Sequence, residues 1–138
     1  MTAVKRMHVL EQQAAELLTK LGYTPVIVSS FARSCRYIAF HMTADKKLAD
    51  GTVDSMMVKL KISLHPIVSL GEAATFCRDE IASVKKFFAQ LPSDEKRIRF
   101  EVWVSIPLNR FQYFEITREG IREIRSPGDR SGFTGGQQ

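Results

Sequence analysis

The sequence predicts an α/β domain in which a central mixed sheet of about five strands is flanked by helices. Three stretches carry this prediction. Residues 4–21 have the apolar spacing of an amphipathic helix, and residues 53–63 and 98–104 alternate between apolar and polar side chains as half-buried strands do. Strand-forming segments before and after them and a second helix between them give the order α-β-β-β-α-β-β.

The first helix is defined by apolar side chains on one face, at Met7, Leu10, Ala14, Leu17, Leu18 and Leu21. Gly22 follows as an expected C-terminal cap. Glu16 projects away from this face, whereas Glu11 falls at its margin, between Met7 and Leu18. A carboxylate at the edge of a buried face needs a partner, and two interpretations stay open for Glu11: an edge salt bridge or a role in an active site.

The next three segments predict strands. Residues 23–29 form the first, with Pro25 near its start, and residues 35–42 form the second after a short loop. A polar hairpin through residues 44–47 and 50–51 leads into the third strand. There Met57, Lys59 and Lys61 share the face opposite the apolar one. Four basic side chains thus fall on or beside neighbouring strands: Arg33, Arg36, Lys59 and Lys61.

The second half contains a helix and two strands. Ser69 and Glu72 have the spacing of a capping box, and the helix they open ends before Pro92. Two strands follow over residues 98–104 and 111–116, with a small element at residues 117–121. Residues 125–138 are rich in Ser, Pro, Gly, Asp and Gln, so we expect a domain over residues 1–124 and a disordered tail.

Composition narrows the class of protein. With 138 residues, 44% of them hydrophobic and 25% charged, the chain resembles an ordinary globular domain. It lacks a signal-peptide pattern and any apolar run long enough for a membrane helix, so we expect a cytoplasmic protein with no membrane partner. Cys35 and Cys77 have no metal-ligand spacing and predict reduced thiols. The formal charge of +5 fits a polyanion-binding surface.

This order of elements, with Glu11 eleven residues before Gly22 and Lys59 on the third strand, resembles the PD-(D/E)XK nuclease superfamily. The likeness is closest to its archaeal Holliday-junction-resolvase-like members, which have the restriction-endonuclease-like fold, and it spans about residues 4–124. The resemblance implies a helix glutamate, an aspartate entering the second strand and a Glu-x-Lys on the third. Clustered carboxylates of this kind hold the Mg²⁺ that generates the nucleophile for phosphodiester hydrolysis.

Two of the implied acidic positions are not acidic here. Glu11 and Lys59 match the helix glutamate and the motif lysine, but Arg36 stands at the aspartate position and Met57 at the glutamate position. An arginine places a permanent positive charge where a divalent cation would sit. We therefore predict no metal site and no cofactor, with Mg²⁺ required only if activity is retained. Asp45, Asp50 and Asp54 are candidate replacement ligands, although Asp54 lies about 10 Å along the strand from Met57 and on its opposite face.

Three functional hypotheses follow. In the first, a degenerate nuclease has lost hydrolysis and binds nucleic acid, DNA rather than RNA, through Arg33, Arg36, Lys59 and Lys61. In the second, the chain is an active Mg²⁺-dependent endonuclease with relocated ligands. In the third, it is a structural or partner-binding protein in which Glu11 and Arg36 form an internal ion pair. The resemblance also implies a homodimer, for which Trp103 and Phe111 are candidate contacts if they do not instead cover the second helix.

Overall fold

The computed structural model describes residues 3–28, 40–90 and 98–129. Its helices are α1 (Ala3–Lys20), α2 (Leu70–Phe76) and α3 (Arg78–Ala89). Its strands are β1 (Thr24–Ile27), β2 (Met42–Lys47), β3 (Val53–Ile62), β4 (Ile98–Ile106), β5 (Arg110–Thr117) and β6 (Gly120–Ile124). The α/β class and the order of elements are confirmed. The described chain has one strand more than expected, since residues 120–124 pair as β6, and the second predicted helix is interrupted by a turn at Cys77.

The strands form one sheet whose spatial order, β1 to β6, is also their order along the chain. All neighbouring strands are antiparallel except β3 and β4, which are parallel from Ser55↔Ile98 to Ile62↔Ser105. A parallel pair needs a crossover connection, and α2 and α3 provide it. The predicted mixed sheet is therefore present. None of the helices in the described ranges is long and apolar enough to cross a membrane.

Each face of the sheet carries its own apolar cluster. On one face, Leu10, Ala14 and Leu18 of α1 pack with Met56, Val58 and Leu60 of β3. On the other face, Ala73 of α2 and Val84 and Phe88 of α3 pack with the apolar side chains of β4. β4 is covered on both sides, and from Arg99 to Val104 every residue is buried. A half-exposed strand was expected here, so this expectation is corrected.

Trp103 is a clear case of that correction. Its side chain is fully buried, and its ring packs edge to face against Tyr113 and Phe111 of β5, with centroids 5.3 and 5.8 Å away. It belongs to the cluster under α1. Trp103 is therefore a core residue of the α1 face and neither a dimer contact nor a cover for the second helix.

The expected helix signals act as predicted. Gly22 has a φ of +94°, and beyond it the Tyr23 N–H donates to the Leu18 carbonyl at 2.9 Å, which closes α1. At the start of α2, the Ser69 hydroxyl accepts from the Glu72 N–H at 3.0 Å. Glu72 in turn accepts from the Val68 N–H at 2.9 Å. These contacts satisfy backbone donors that a helix start leaves unpaired.

The second strand is shifted along the chain from its predicted place. It begins at Met42 and runs through Lys47, whereas the prediction ended it at Met42 and made residues 44–47 a hairpin. Residues 35–39 of the predicted strand lie outside the described ranges. Ala44 is buried under α1 while Asp45 and Lys47 are exposed, so burial of alternate residues outweighs the weak β propensity of Ala, Asp and Lys. Only the later part of the predicted hairpin, residues 50–51, lies in the turn, where Asp50 accepts from the Thr52 N–H.

The start of the expected disordered tail is structured. Residues 125–129 are described, and Pro127 is buried. The Gly128 N–H donates to Glu101 Oε2 at 2.9 Å, and the Asp129 carbonyl accepts from Arg99 at 3.1 Å. These bonds to buried side chains fix residues that composition alone marks as tail. Residues 130–138 lie outside the described ranges, and the division into residues 1–124 and 125–138 stays a prediction.

Candidate functional site

Met57, Lys59 and Lys61 leave β3 on the face that α2 and α3 cover, because Met56, Val58 and Leu60 occupy the α1 face. Met57 is half-buried and packs against the apolar cluster that contains Phe100 and Val102. The position that a nuclease would give to a glutamate is therefore part of the hydrophobic packing. A carboxylate in that place would lose its solvation, so the local environment suits methionine.

Lys61 is held by the helices above it. Its Nζ donates to the Phe76 carbonyl at 2.6 Å and to Glu80 Oε1 at 3.1 Å, and it lies 4.6 Å from the centre of the Phe76 ring. Together these contacts tie β3 to the break between α2 and α3. The sequence interpretation offered Lys61 as a phosphate ligand, but its charge is already matched by Glu80 in this structure.

Lys59 is half-buried between Met57 and Lys61 and lies beside Val102 of β4 in the parallel ladder. Glu11 lies on α1 with 7% of its surface exposed, and His8 Nδ1 is 3.9 Å from its Oε1. Since α1 covers the opposite face of the sheet, the structure does not bring Glu11 and Lys59 to one face. Arg33 and Arg36 lie outside the described residues, so an ion pair between Glu11 and Arg36 stays a prediction.

His41 lies next to Met42↔Val58, the last β2–β3 pair among the described residues. Its backbone N–H donates to the Val58 carbonyl at 2.9 Å, and the Leu60 N–H donates to its Nδ1 at 2.9 Å. An accepting Nδ1 requires a neutral ring that carries its proton on Nε2. The buried side chain of His41 therefore bonds to the backbone of β3 one residue beyond Lys59.

The three candidate replacement carboxylates do not gather at β3. Asp45 accepts from the Ser55 hydroxyl at 2.7 Å, Asp50 orders the β2–β3 turn, and Asp54 accepts from the Tyr23 hydroxyl at 3.0 Å. Asp54 is buried with Met56 and Val58 on the α1 face, as predicted. No three His, Cys, Asp or Glu side chains in the described ranges group closely enough to hold a metal ion. The donor set in this part of the chain therefore does not fit Mg²⁺.

A buried charge network on the α1 face was not anticipated. The carboxylate of Glu101 is completely buried. Its Oε1 accepts from the Trp103 indole at 2.9 Å, and its Oε2 accepts from Arg99 Nε and Nη2 at 3.0 and 2.9 Å, as well as from the Gly128 N–H. Burial raises the pKa of the Glu101 carboxyl, and Arg99, Trp103 and Gly128 oppose that rise.

The network continues onto β5 and β6. Glu115 lies directly opposite Glu101 in the β4–β5 ladder and opposite Arg122 in the β5–β6 ladder. Arg122 Nη2 lies 2.6 Å from Glu115 Oε1, and Arg99 Nη2 lies 3.5 Å from the same oxygen. Two glutamates face each other across neighbouring strands, and the two arginines neutralise them. The net charge of these four side chains is zero, which makes the network suited to holding strands together.

One sequence signal could have pointed to this network. Arg99 and Glu101 alternate with apolar residues along β4, and Glu115 and Arg122 lie on β5 and β6. The register that makes these four side chains neighbours depends on the lengths of two turns, which the sequence interpretation did not fix. Charges at alternate positions of a central strand could have indicated a buried pair, but only the ladder identifies the partners.

Comparison with known proteins identifies a similarity of structure. No family model matches the chain, and no curated protein matches it. The structure is similar to that of Hjc, a Holliday junction resolvase from the archaeal hyperthermophile Archaeoglobus fulgidus, with 14% identity, a TM-score of 0.45 and coverage of 85% of each chain. Hjc is a protein of the kind that the sequence resembles. With so few identical residues, membership of the nuclease superfamily stays a prediction.

Proposed function

We propose that this chain is a nuclease-fold protein without hydrolytic activity that binds the DNA backbone through the basic side chains around Lys59. The observation that carries the proposal is that β3 has Lys59 at the motif lysine but Met57 at the acidic position two residues before it. The lysine of the predicted motif is present, while its acidic neighbour is replaced by a side chain packed into the apolar cluster. The absence of a metal-ligand group from the described ranges also favours binding without hydrolysis.

Each basic residue has a separate place in this proposal. Lys59 supplies a compact charge for a phosphate oxygen. Arg33 and Arg36, proposed from the sequence, add further backbone contacts. Lys61 contributes less because Glu80 already pairs with it. Contacts of this kind fix the position of the protein on DNA without reading its sequence, so any preference concerns the shape of the DNA. The homodimer and the cytoplasmic location stay predictions.

The test measures the affinity for a fluorescent four-way DNA junction and for a matched duplex at about 50 and 200 mM salt, because phosphate contacts weaken as the salt concentration rises. Mg²⁺ is present, and the strands are checked afterwards for cutting. We expect the strands to stay intact. On the duplex, the logarithm of the association constant should fall by about 0.9 per phosphate contact for each tenfold rise in salt concentration. Lys59→Glu should weaken binding. Lys47 is an exposed lysine on β2, and Lys47→Glu serves as the matched control.

The other outcomes separate the hypotheses. Cut strands would establish an active endonuclease with relocated ligands and contradict the proposal. An absence of binding at low salt would favour a structural or partner-binding protein. That second candidate is supported by the balanced network of Arg99, Glu101, Glu115 and Arg122, which stabilises the sheet without requiring a ligand. A double-mutant cycle on Glu11 and Arg36 would then measure the ion pair that this hypothesis predicts.

A further inference from the structure

A groove opens at the ends of β3 and β4, where α1 passes over them. It has a volume of about 340 Å³. α1 contributes Arg6, Val9 and Gln13 to its lining, the loop after β3 contributes Leu64, and the turn after β4 contributes Leu108 and Asn109. Because β3 and β4 are parallel, both of these connections emerge at the same edge of the sheet. The groove therefore lies just beyond the end of the strand that carries Lys59.

Two leucines of this groove, Leu64 and Leu108, are unusually exposed, at 83% and 85%, and Val9 of α1 is 42% exposed. Single exposed apolar residues are common on protein surfaces, but a cluster around one groove marks a site of interaction. Leaving these side chains in water is unfavourable, so a ligand that covers them gains affinity.

The backbone at Leu108 gives a second, independent observation. Its φ is +72°, and that of Asn109 is +55°. Glycine and asparagine adopt this left-handed region readily, whereas leucine does so at a cost. Successive positive φ values are a feature of tight hairpin turns, so the turn between β4 and β5 accounts for the backbone but not for the choice of leucine at its tip. The turn would fold more easily with a polar residue at this position.

The charges around the groove indicate what covers it. Arg6 lines it, Arg110 follows the turn and is exposed, and no acidic residue is among the lining residues that the structure describes. A second copy of the chain placed symmetrically here would bring these arginines towards each other, and like charges oppose such contact. A polyanion matches the arginines, and the formal charge of the whole chain, +5, has the same sign.

We propose that Leu64 and Leu108 form an apolar wedge that inserts at the branch point of a DNA junction, while Arg6 and Arg110 contact the flanking phosphates. This inference rests on the proposed DNA binding and adds the feature that the wedge recognises. Apolar side chains inserted between base steps unstack them and are repaid by burial of the wedge. Base pairs at a branch point are already incompletely stacked, so insertion costs less there than in a continuous duplex.

The test uses the full chain with a four-way junction that carries 2-aminopurine at the branch point, together with a matched duplex. Insertion unstacks the probe, so its fluorescence should rise when the unaltered protein binds. In the double variant Leu64→Ser/Leu108→Asn, we expect the preference for the junction over the duplex to fall by roughly tenfold, because two apolar side chains lose their burial. Affinity for the duplex should stay within about twofold, since phosphate contacts dominate it.

Val68→Ser is the matched control, since Val68 is also 83% exposed and follows the same strand but does not line the groove. It should leave fluorescence and preference unchanged. Asparagine suits the backbone at Leu108, so retention of the fold can be verified by thermal unfolding. A double variant that keeps the junction preference overturns the wedge and leaves backbone binding intact. A chain that binds neither DNA overturns both proposals.

A further outcome would assign the groove to a different occupant. Sedimentation of the protein alone at increasing concentration measures self-association. A dimer that forms without DNA and is lost in Leu108→Asn would place a second copy of the chain in the groove and overturn the wedge. A sedimentation coefficient independent of concentration, together with the fluorescence change on the junction, supports it.

Discussion

The backbone N–H of Gly128 donates to Oε2 of Glu101 at 2.9 Å, and this bond attaches the end of the described chain to the middle of the sheet. Arg99 and Trp103 supply the other donors to the same carboxylate. A fully buried carboxylate is tolerated only when its oxygens are paired in this way. Strand β4 and residues 125–129 therefore depend on each other.

Glu101→Ala should be among the most damaging substitutions in the described chain. It leaves Arg99 buried beside Glu115 without its closer partner, and breaking a buried pair typically costs about 3–5 kcal/mol. Urea denaturation measures the loss in the free energy of unfolding. Glu123→Ala, on the exposed side of β6, is the control and should change that free energy by less than about 0.5 kcal/mol. Equal effects at the two positions would contradict the structural role of the network.

Gly128→Ala tests the packing of residues 125–129. A Cβ at Gly128 would lie 2.5 Å from the Tyr23 hydroxyl, and the residue has a φ of +75°. Gly51→Ala is the matched control, because Gly51 has a φ of +90° but no atom within 4 Å of a Cβ. Both variants should lose about 1 kcal/mol from the strained backbone, and Gly128→Ala should lose about 1–3 kcal/mol more from the overlap. Equal losses of stability would show that Tyr23 and Gly128 do not pack together.

Tyr23 gives the fold a dependence on alkaline pH. Burial, together with the neighbouring Asp54, raises the pKa of Tyr23 to about 12. Because this folded-state pKa exceeds the unfolded value near 10, the contribution to stability is complete below pH 10 and is lost as the pH rises towards 12. The tyrosinate cannot donate to Asp54 and repels it. The unaltered protein should therefore lose about 2 kcal/mol more than Tyr23→Phe over that interval.

Chemical denaturation at several pH values from 8 to 12 checks this expectation for Tyr23. Other effects of high pH act on both proteins, so the informative quantity is the difference between them. At pH 8 Tyr23→Phe should be the less stable because Asp54 loses its hydrogen bond. A difference that stays constant up to pH 12 would contradict the assignment.

Lys61→Met and Lys59→Met test the roles proposed for the two lysines of β3. The first removes the contacts to Phe76 and Glu80 and should lower the free energy of unfolding by about 1–2 kcal/mol. The salt dependence of DNA binding should change little. The second should reduce that salt dependence by about one phosphate contact. Thermal unfolding and a salt titration of DNA affinity provide the two readouts, and an exchange of the two effects would reverse the roles proposed for the lysines.

The sequence predicts the regular elements well where the side chains repeat strongly. The face of α1, the capping box at Ser69 and the strand around Lys59 all follow from local patterns. The position of β2 does not, because Ala44 enters the core only through packing with α1, which is a tertiary effect. The structured residues 125–129 escaped prediction for a similar reason, since the partners of Gly128 and Asp129 are far away in sequence.

The candidate site was only partly predictable. The shared face of Met57, Lys59 and Lys61 follows from alternation along one strand, whereas the packing of Met57 against the apolar cluster under α2 and α3 was not predicted. The separation of Glu11 from Lys59 depends on which face α1 covers, and a helical pattern alone carries no information on this choice. The role of His41 depends on its place next to the last β2–β3 pair among the described residues, and the exposure of Leu108 depends on a turn whose backbone conformation is uncommon for leucine.

The order of the strands has a consequence for how the chain folds. Since the sheet follows the chain from β1 to β6, each half, β1–β3 and β4–β6, consists of neighbouring antiparallel strands, and such local pairings form rapidly. The halves are joined through the parallel β3–β4 ladder, and Gly128 then packs against Tyr23 across them. Contacts between segments so distant in sequence are expected late, after the barrier to folding has been crossed. Weakening them should accelerate unfolding and leave the folding rate nearly unchanged, so residues 125–129 set the lifetime of the native state more than the speed at which it is reached.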